Sequence, residues 1–423
     1  MALESSTQLS LVPCRKRSRI EKEDPYDLFN IDELPDDLLC EILKRLPSSQ
    51  WVLQCKSVSK RWYSLISDPC FIRSFIHHRH CHQFSEQQFN FLSHYSRDEC
   101  VVLPSNTSEL CSRKISVNSL LGIEDSSSFS IEASFNDLLL VNSRRSLLEA
   151  LYHICNPLTR ECLTLPRPPL SNKEVIVGFI CDPYSCNKEQ GCITNTDYRY
   201  KVIRIYSPTK SNSTQLEMDI FSSETSEWCN SVVSSPRGLN PFTFKSALAG
   251  VVACNGMLHW VDTNSNGIVV FDPFNDVEQC HYIDPPIGLW ATAKISLGLF
   301  QGRLRIFHNC DEEFYVWELK DNYGTWCMKH KVNLKKIVSQ NSRLVEITKA
   351  YSPRVNFVAF HPNDGELVFL QFLDDIVLCN MRTRVLNIAR TIPNSHMCSS
   401  LLLLQPSWPT PVPPLPLKFE CPP

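Results

Sequence analysis

At roughly 100 to 200 residues per domain, a chain of 423 residues is too long for one compact bundle and calls for several domains, or a small domain joined to a large repeat domain. Hydrophobic residues make up 43% and charged ones 21%, ordinary globular usage that excludes wholesale disorder and a coiled-coil rod. The formal net charge of -3 gives no broad cationic surface to displace counterions from a phosphate backbone, which disfavours general nucleic-acid binding, and no nucleic-acid partner is expected.

Cysteine is abundant, at 20 residues. The first twenty residues lack the basic-then-apolar layout of a secretory signal, because Arg15, Lys16, Arg17 and Arg19 are followed by no apolar run. The expected setting is therefore a reducing cytoplasm or nucleus, with most cysteines acting as small buried hydrophobes. Cys-x-x-Cys spacing is absent, and the closest pair is Cys181 and Cys186, so zinc-finger geometry is not expected. No aliphatic run exceeds four residues, as at Leu401 to Leu404, far short of the roughly 20 residues of a spanning helix, and no membrane partner is expected.

In chain order, residues 1–29 read as a flexible leader, with a basic cluster at 15–19 that fits either a nuclear import signal or a solvated tail. Residues 30–76 then turn helical. Pro35 suits a first helical turn because its missing N–H would have no partner there, and Asp36 and Asp37 complement the positive end of the dipole. Leu38, Leu39, Ile42, Leu43 and Leu46 follow as a wide apolar stripe before Pro47 interrupts. A second short helix carries Trp51, Val52, Cys55 and Val58, and a third, from Ser59, carries Trp62, Leu65 and Ile66 up to Asp68-Pro69. A unit this small cannot shelter so much apolar surface, so part of it should meet a partner.

Residues 77–129 read as a linker that can also supply a ring-closing strand, with Lys114-Ile115-Ser116-Val117 alternating like one. His77, His78, His80, Cys81 and His82 crowd its start, but neighbours on a helix point in different directions, and the reading is a solvated helix end rather than a metal site. From 130 to 405 two kinds of turn alternate between short apolar runs. The first kind is marked by Asn136, Asp182, Asn255, Gln301 and Asn363, and includes Asn255-Gly256, a strong hairpin signal because both turn positions need positive φ. The second includes Asn156-Pro157-Leu158-Thr159-Arg160, Ser222 to Glu227, Asp272-Pro273-Phe274-Asn275 and Asn380-Met381-Arg382-Thr383. The marker spacing fits a repeat of about 45 residues with two insertions, the length of a four-stranded propeller blade, and six blades fit the available chain best. A β-sandwich is the rival fold. The tail, 406–423, is rich in proline and expected to be extended and polyproline-like, with Pro411 and Pro414 at P-x-x-P spacing.

The helical string, from Leu34-Pro35-Asp36-Asp37-Leu38-Leu39 through Val58-Ser59-Lys60-Arg61-Trp62 to Pro69-Cys70-Phe71, resembles an F-box. The later strings, Asn156-Pro157-Leu158-Thr159-Arg160 and Asn255-Gly256-Met257-Leu258-His259-Trp260 above all, resemble the F-box-associated, kelch-like propeller region of plant-type F-box proteins. The expected fold is mainly β with a small all-α N-terminal domain. The resemblance implies a substrate-recognition adaptor of a Skp-cullin-F-box ubiquitin ligase. Its F-box would dock on the Skp adaptor, and through it on the cullin, by Leu34, Pro35, Leu38, Ile42, Leu46, Val58 and Trp62, while the propeller would bind an unspecified protein substrate. One departure is Trp51, an indole where many members carry an aliphatic residue. No catalytic residue, cofactor or metal is implied. Neither a Walker loop, a dinucleotide fingerprint, a Gly-x-Ser-x-Gly elbow nor a His-Glu-x-x-His motif occurs. Two alternatives stay open: an F-box scaffold acting outside the ligase, and a sugar-binding or enzymatic propeller.

Overall fold

The computed structural model describes residues 31–81, 88–94, 99–104, 113–116, 128–146, 149–183, 198–241, 250–262, 267–286, 294–310, 312–321, 324–350, 355–391, 400–412 and 415. The basic cluster at 15–19 lies outside them, as do residue 82 and the side chains of His80 and Cys81.

Four helices open the described chain: α1 (Asp36–Lys44), α2 (Ser49–Cys55), α3 (Lys60–Ser67) and α4 (Pro69–Cys81). Asp36 and Asp37 occupy the first turn of α1 with Pro35 before them, as the dipole argument expects. The Ser59 hydroxyl caps α3 by accepting from the Trp62 N–H. Lys44 donates to Ser74 Oγ at 3.0 Å and Arg79 to the Pro47 carbonyl at 2.8 Å, so α4 is tied to α1 and to the chain just after it. The bundle core is Leu39, Leu43, Val52, Trp62, Ile66, Phe71, Ile72 and Phe75, joined by Trp408 from the far end of the sequence.

The strands follow in groups of four. The first three are β1 (Gln88–His94), β2 (Glu99–Pro104) and β3 (Arg113–Ser116). A second group is β4 (Ser128–Phe135), β5 (Leu138–Ser146), β6 (Glu149–Asn156) and β7 (Glu161–Thr164). A third is β8 (Val175–Pro183), β9 (Tyr198–Tyr206), β10 (Ser213–Ser222) and β11 (Glu227–Leu239). Next come β12 (Val252–Cys254), β13 (Met257–Asp262), β14 (Gly267–Asp272) and β15 (Asp276–Ile283), then β16 (Lys294–Phe300), β17 (Arg303–Cys310), β18 (Glu313–Leu319) and β19 (Trp326–Asn333). The last full group is β20 (Val355–Phe360), β21 (Leu367–Phe372), β22 (Asp375–Asn380) and β23 (Val385–Thr391). A final strand, β24 (Ser400–Gln405), returns to pair antiparallel with β1, from Gln88 opposite Gln405 to Ser93 opposite Ser400.

These make six four-stranded blades, the first built from β24 and β1–β3. Two of them, β8–β11 and β12–β15, merge into one eight-stranded sheet through a single parallel bridge between Ser234 and Gln279. The innermost strands touch in sequence, β4 to β8, β8 to β12, β12 to β16, β16 to β20, β20 to β24 and β24 back to β4, so the ring is closed. A separate apolar core fills each junction between blades. Strands between two such junctions are covered on both faces and read as continuous apolar runs, as in β14 (Gly-Ile-Val-Val-Phe-Asp) with its first five residues buried. Outer strands such as β15 keep much of their length in water, with Val277, Glu278, Gln279 and His281 exposed and Cys280 and Ile283 buried.

The closing strand explains the Leu401–Leu404 run. Leu402 and Leu404 pack toward the β20–β23 blade, while Leu401 and Leu403 pack toward the β4–β7 blade. A strand buried on both faces needs an apolar residue at every position, and this run supplies four.

Both repeated turn kinds form hairpins. The Asn136, Asn255, Gln301 and Asn363 positions fall between the first and second strands of their blades, with Asn136, Asn255 and Gln301 at positive φ. In the second kind, an Asx side chain accepts from the amides two and three residues on: Asn156 from Leu158 and Thr159, Asp272 from Phe274 and Asn275, Asn380 from Arg382 and Thr383. Since strands alternate in direction, both kinds of turn lie at one end of the ring. The same end receives the finish of β24 and the start of β1.

Asp182, read as a turn marker, lies inside β8, and the 77–129 segment, read as a linker with a possible ring-closing strand, supplies three strands of the first blade. Two further features depart from the sequence expectation. Residues 334–350 form α5 (Leu334–Val338) and α6 (Ser342–Ala350), whose Leu334, Ile337, Val338 and Leu344 join the core between the last two full blades. Cys155 and Cys162, directly opposite on β6 and β7, are joined by a disulfide and so are not single buried thiols.

Candidate functional site

On α1, residues four apart share a face and adjacent ones do not. Leu39 and Leu43 are 0% and 1% exposed, whereas their neighbours Leu38 and Ile42 are 52% and 45% exposed. Val58, in the turn before α3, is likewise open to water, and so are Ile31, Trp51 and Tyr63. Pro35 is exposed and Leu34 half-buried. Arg61 on α3 bonds Asp36 Oδ1 at 2.6 Å and also the Leu34 carbonyl, which holds the entry to α1 against the start of α3, three residues from Val58. The bundle therefore has a filled interior and, outside it, a set of apolar side chains that its own helices leave uncovered.

Two residues expected on that outer face turn inward. Trp62 is buried with Ile66 one turn later, because the Ser59 cap fixes the phase of α3, and Leu46 is half-buried against the same core. Trp51 and Tyr63 are the converse case: each adjoins a residue that faces the core, Val52 and Trp62, and so must face water. The phase of the short helices carries that information, but it is legible only once their boundaries are known.

In the propeller, several buried charges are committed to one another. Asp219 is held by Arg204 at 3.1 Å, by Asn230 at 3.0 Å and by the Tyr206 hydroxyl. Glu318 takes Arg305 at 2.7 Å and Lys329 at 3.1 Å. Burial alone would raise the Glu318 pKa, but the bonds from Arg305 and Lys329 outweigh it and keep the carboxyl below its ordinary value. Arg305 also lies over the Phe300 ring, 4.1 Å from its centroid, and donates to the Gly365 carbonyl at 3.0 Å, tying one blade to the next. Asp375 is gripped by Arg343 of α6 at 2.8 Å. These networks brace the ring.

Cys254 and Cys379 are buried thiols that desolvation pushes up to about 11 and about 12, and Cys181 is pushed up as well, so all three stay protonated. His259 on β13 is 3% exposed, and burial brings it down to about 4. Such a ring is neutral at physiological pH. Among the described residues no group of three or more His, Cys, Asp or Glu side chains gathers as a metal site would require.

Residues 31–74 match the F-box domain, and residues 89–404 match the family described as F-box protein At3g26010-like, beta-propeller. The chain belongs to this family of F-box β-propeller proteins. F-box protein At5g03970 of Arabidopsis thaliana is 23% identical over 367 residues, covering 82% of this chain and 81% of that one. F-box protein At5g49610 of the same plant is 26% identical, covering 71% and 79%. Among solved structures, apo AztD from Citrobacter koseri gives a TM-score of 0.37 at 8% identity, over 73% of this chain and 83% of that one, too loose a likeness to bear on function. An F-box joined to a propeller makes this chain a protein of the F-box substrate-receptor type.

Proposed function

We propose that this F-box protein is the substrate-recognition subunit of a Skp-cullin-F-box ubiquitin ligase and performs no chemistry itself. The observation that carries the proposal is the uncovered apolar residues on the bundle, Leu38, Ile42 and Val58, and also Trp51 and Tyr63, around a core that is already full. Burying one aliphatic side chain stabilises a complex by about 1.5–3 kcal/mol before association costs, so a few anchors decide binding to a Skp adaptor. Leu34 and Pro35, pinned by Arg61, extend this face. Substrate would be held at the other end of the ring, where α5, α6 and the connection bearing the exposed Leu170 lie away from the hairpin turns. Tethering would raise the local concentration of acceptor lysines near the conjugating enzyme. A cytoplasmic or nuclear setting belongs to the same proposal.

The test is co-purification. The double variant Leu34→Ala, Ile42→Asp is expected to lose a Skp adaptor while the β-sheet circular dichroism of the propeller stays unchanged. Retained adaptor in that variant overturns the assignment.

A further inference from the structure

Past β24 the chain cannot continue a sheet, because Pro406, Pro409 and Pro411 lack ladder donors. It does not leave the protein. Trp408 is 9% exposed and inserts into the helical bundle, its ring edge-on to Phe75 at 5.5 Å and to Phe71 at 6.3 Å. Two residues on, Thr410 is 6% exposed and bonded to the β4–β7 blade through its backbone. Its N–H donates to Asp137 Oδ2 at 2.9 Å, and its carbonyl accepts from Asn156 Nδ2 at 2.6 Å. Asn156 Nδ2 donates to Asp137 Oδ2 as well, at 2.8 Å, which closes the clamp. Val412, 9% exposed, and Leu415 then pack on the core between the β4–β7 and β8–β11 blades.

Successive buried residues thus belong to different domains: Trp408 to the bundle, Thr410 and Val412 to the propeller. Asp137 and Asn156 sit in the two kinds of hairpin turn of one blade, at the end of the ring where the bundle attaches. Lys56, just past α2, feels the Glu161 carboxylate at the start of β7, which puts the bundle beside the same blade. Proline at every second or third position restricts the free tail, so less conformational entropy is lost when it docks.

We propose that residues 406–412 form an intramolecular strap that couples the F-box bundle to the β4–β7 blade, anchored by Trp408 at one end and by the Asp137–Thr410–Asn156 clamp at the other. The strap fixes the angle between the two domains and covers the apolar side of α4 formed by Phe71 and Phe75. Its docked stretch, Pro411 included, is engaged by the chain itself instead of standing free as a polyproline ligand. The coupling is independent of the adaptor reading; only its consequence, a fixed span between adaptor and substrate, rests on that reading.

Hydrogen exchange on the full-length protein without adaptor tests it. Asn156→Asp keeps the Oδ1 that accepts from Leu158 and Thr159, as Asp272 does in the β12–β15 blade, but replaces the donor to Thr410 with a second carboxylate beside buried Asp137. It touches no atom of the bundle. The expected result is about tenfold faster exchange in 406–412 and in α4. Trp408→Ala should in turn speed exchange at the Asn136-Asp137 turn by a similar factor. The strap is overturned if each variant loosens only its own surroundings, or if α4 exchange is unchanged in Asn156→Asp. Should Trp408→Ala melt the bundle, the Asn156→Asp arm decides alone. Loss of Skp binding in a separate pull-down would bear on the adaptor proposal and leave this result standing.

Discussion

The helical bundle and the propeller bury apolar residues by opposite economies. In the ring, a strand such as β14 is covered by a blade on each side, and the apolar surface of one blade is absorbed by the next until β24 closes the circle. In the bundle there is no next unit: α1 hides Leu39 and Leu43 and leaves Leu38 and Ile42 in water. A closed ring consumes its own hydrophobic surface, whereas a four-helix unit of about fifty residues leaves some of it exposed. Apolar side chains therefore complete the fold in one region and, in part, stay exposed in the other, where the proposed function gives them a partner.

The largest effect should come from a cavity in the ring. Trp260, 2% exposed, lies in the core between the two blades that share the eight-stranded sheet. Trp260→Ala is expected to cost about 3–5 kcal/mol, read as a lowered denaturant midpoint. If the ring is one cooperative body, near-ultraviolet dichroism and sheet content should fall together; a transition confined to one blade would break the comparison by making each blade its own unit.

Next in size is a pH effect on the opposite face of the same strand, β13, toward the β16–β19 blade. Burial holds His259 at about 4, below the 6.5 of a free histidine, so the fold favours the neutral ring. The unfolded chain then binds more protons between these values, and stability, full above pH 6.5, falls as pH drops toward 4. The total is on the order of 3 kcal/mol. His259→Gln should flatten the acid limb of a stability-against-pH curve over that window, whatever its own constant cost. A parallel limb in the variant would mean that other groups set the acid sensitivity.

A smaller cost tests how closely the blades approach. A Cβ on Gly298 of β16 would lie 2.8 Å from Phe357 Cζ and 2.9 Å from Phe360 Cδ2 of the neighbouring blade. Gly298→Ala is expected to destabilise by about 1–3 kcal/mol through overpacking, measured by urea unfolding. A neutral result would show that the two rings move aside freely and that this junction is looser than its burial implies.

These contrasts were unequally legible in the sequence. Turn chemistry is local, so Asn255-Gly256 and the Asx residues Asn156, Asp272 and Asn380 announce hairpins without reference to the rest of the chain, and Lys114-Ile115-Ser116 reads as a strand, which it is within β3. The helix start at Pro35-Asp36-Asp37 is local in the same sense. What stayed hidden depends on distant partners. The leucine run at 401–404 is a closing strand only because β1 lies some 300 residues upstream. Trp408 and Thr410 take their meaning from Phe75 and Asp137, far away in sequence. Trp62 looked like a contact residue because an F-box pattern gives residue types but not the rotation of a short helix, which the Ser59 cap sets. The helices at 334–350 were not read from the sequence at all; Asn333 caps the first of them by accepting from the Lys336 N–H, and Leu334, Ile337 and Val338 behind it are buried against the neighbouring blades.

The smallest expected effect on stability is the most informative. Ile42→Asp changes a side chain 45% exposed, one position from buried Leu43, and should shift the thermal midpoint by no more than about 0.5 kcal/mol allows. Leu43→Asp, by contrast, places a carboxylate among the apolar side chains of the bundle core and should unfold the bundle outright. If the two neighbours cost alike, α1 is packed on both sides and its outer face is structural. If Ile42→Asp is thermally silent yet loses the adaptor, the apolar surface of the bundle is held for binding, because the fold gains nothing measurable from it.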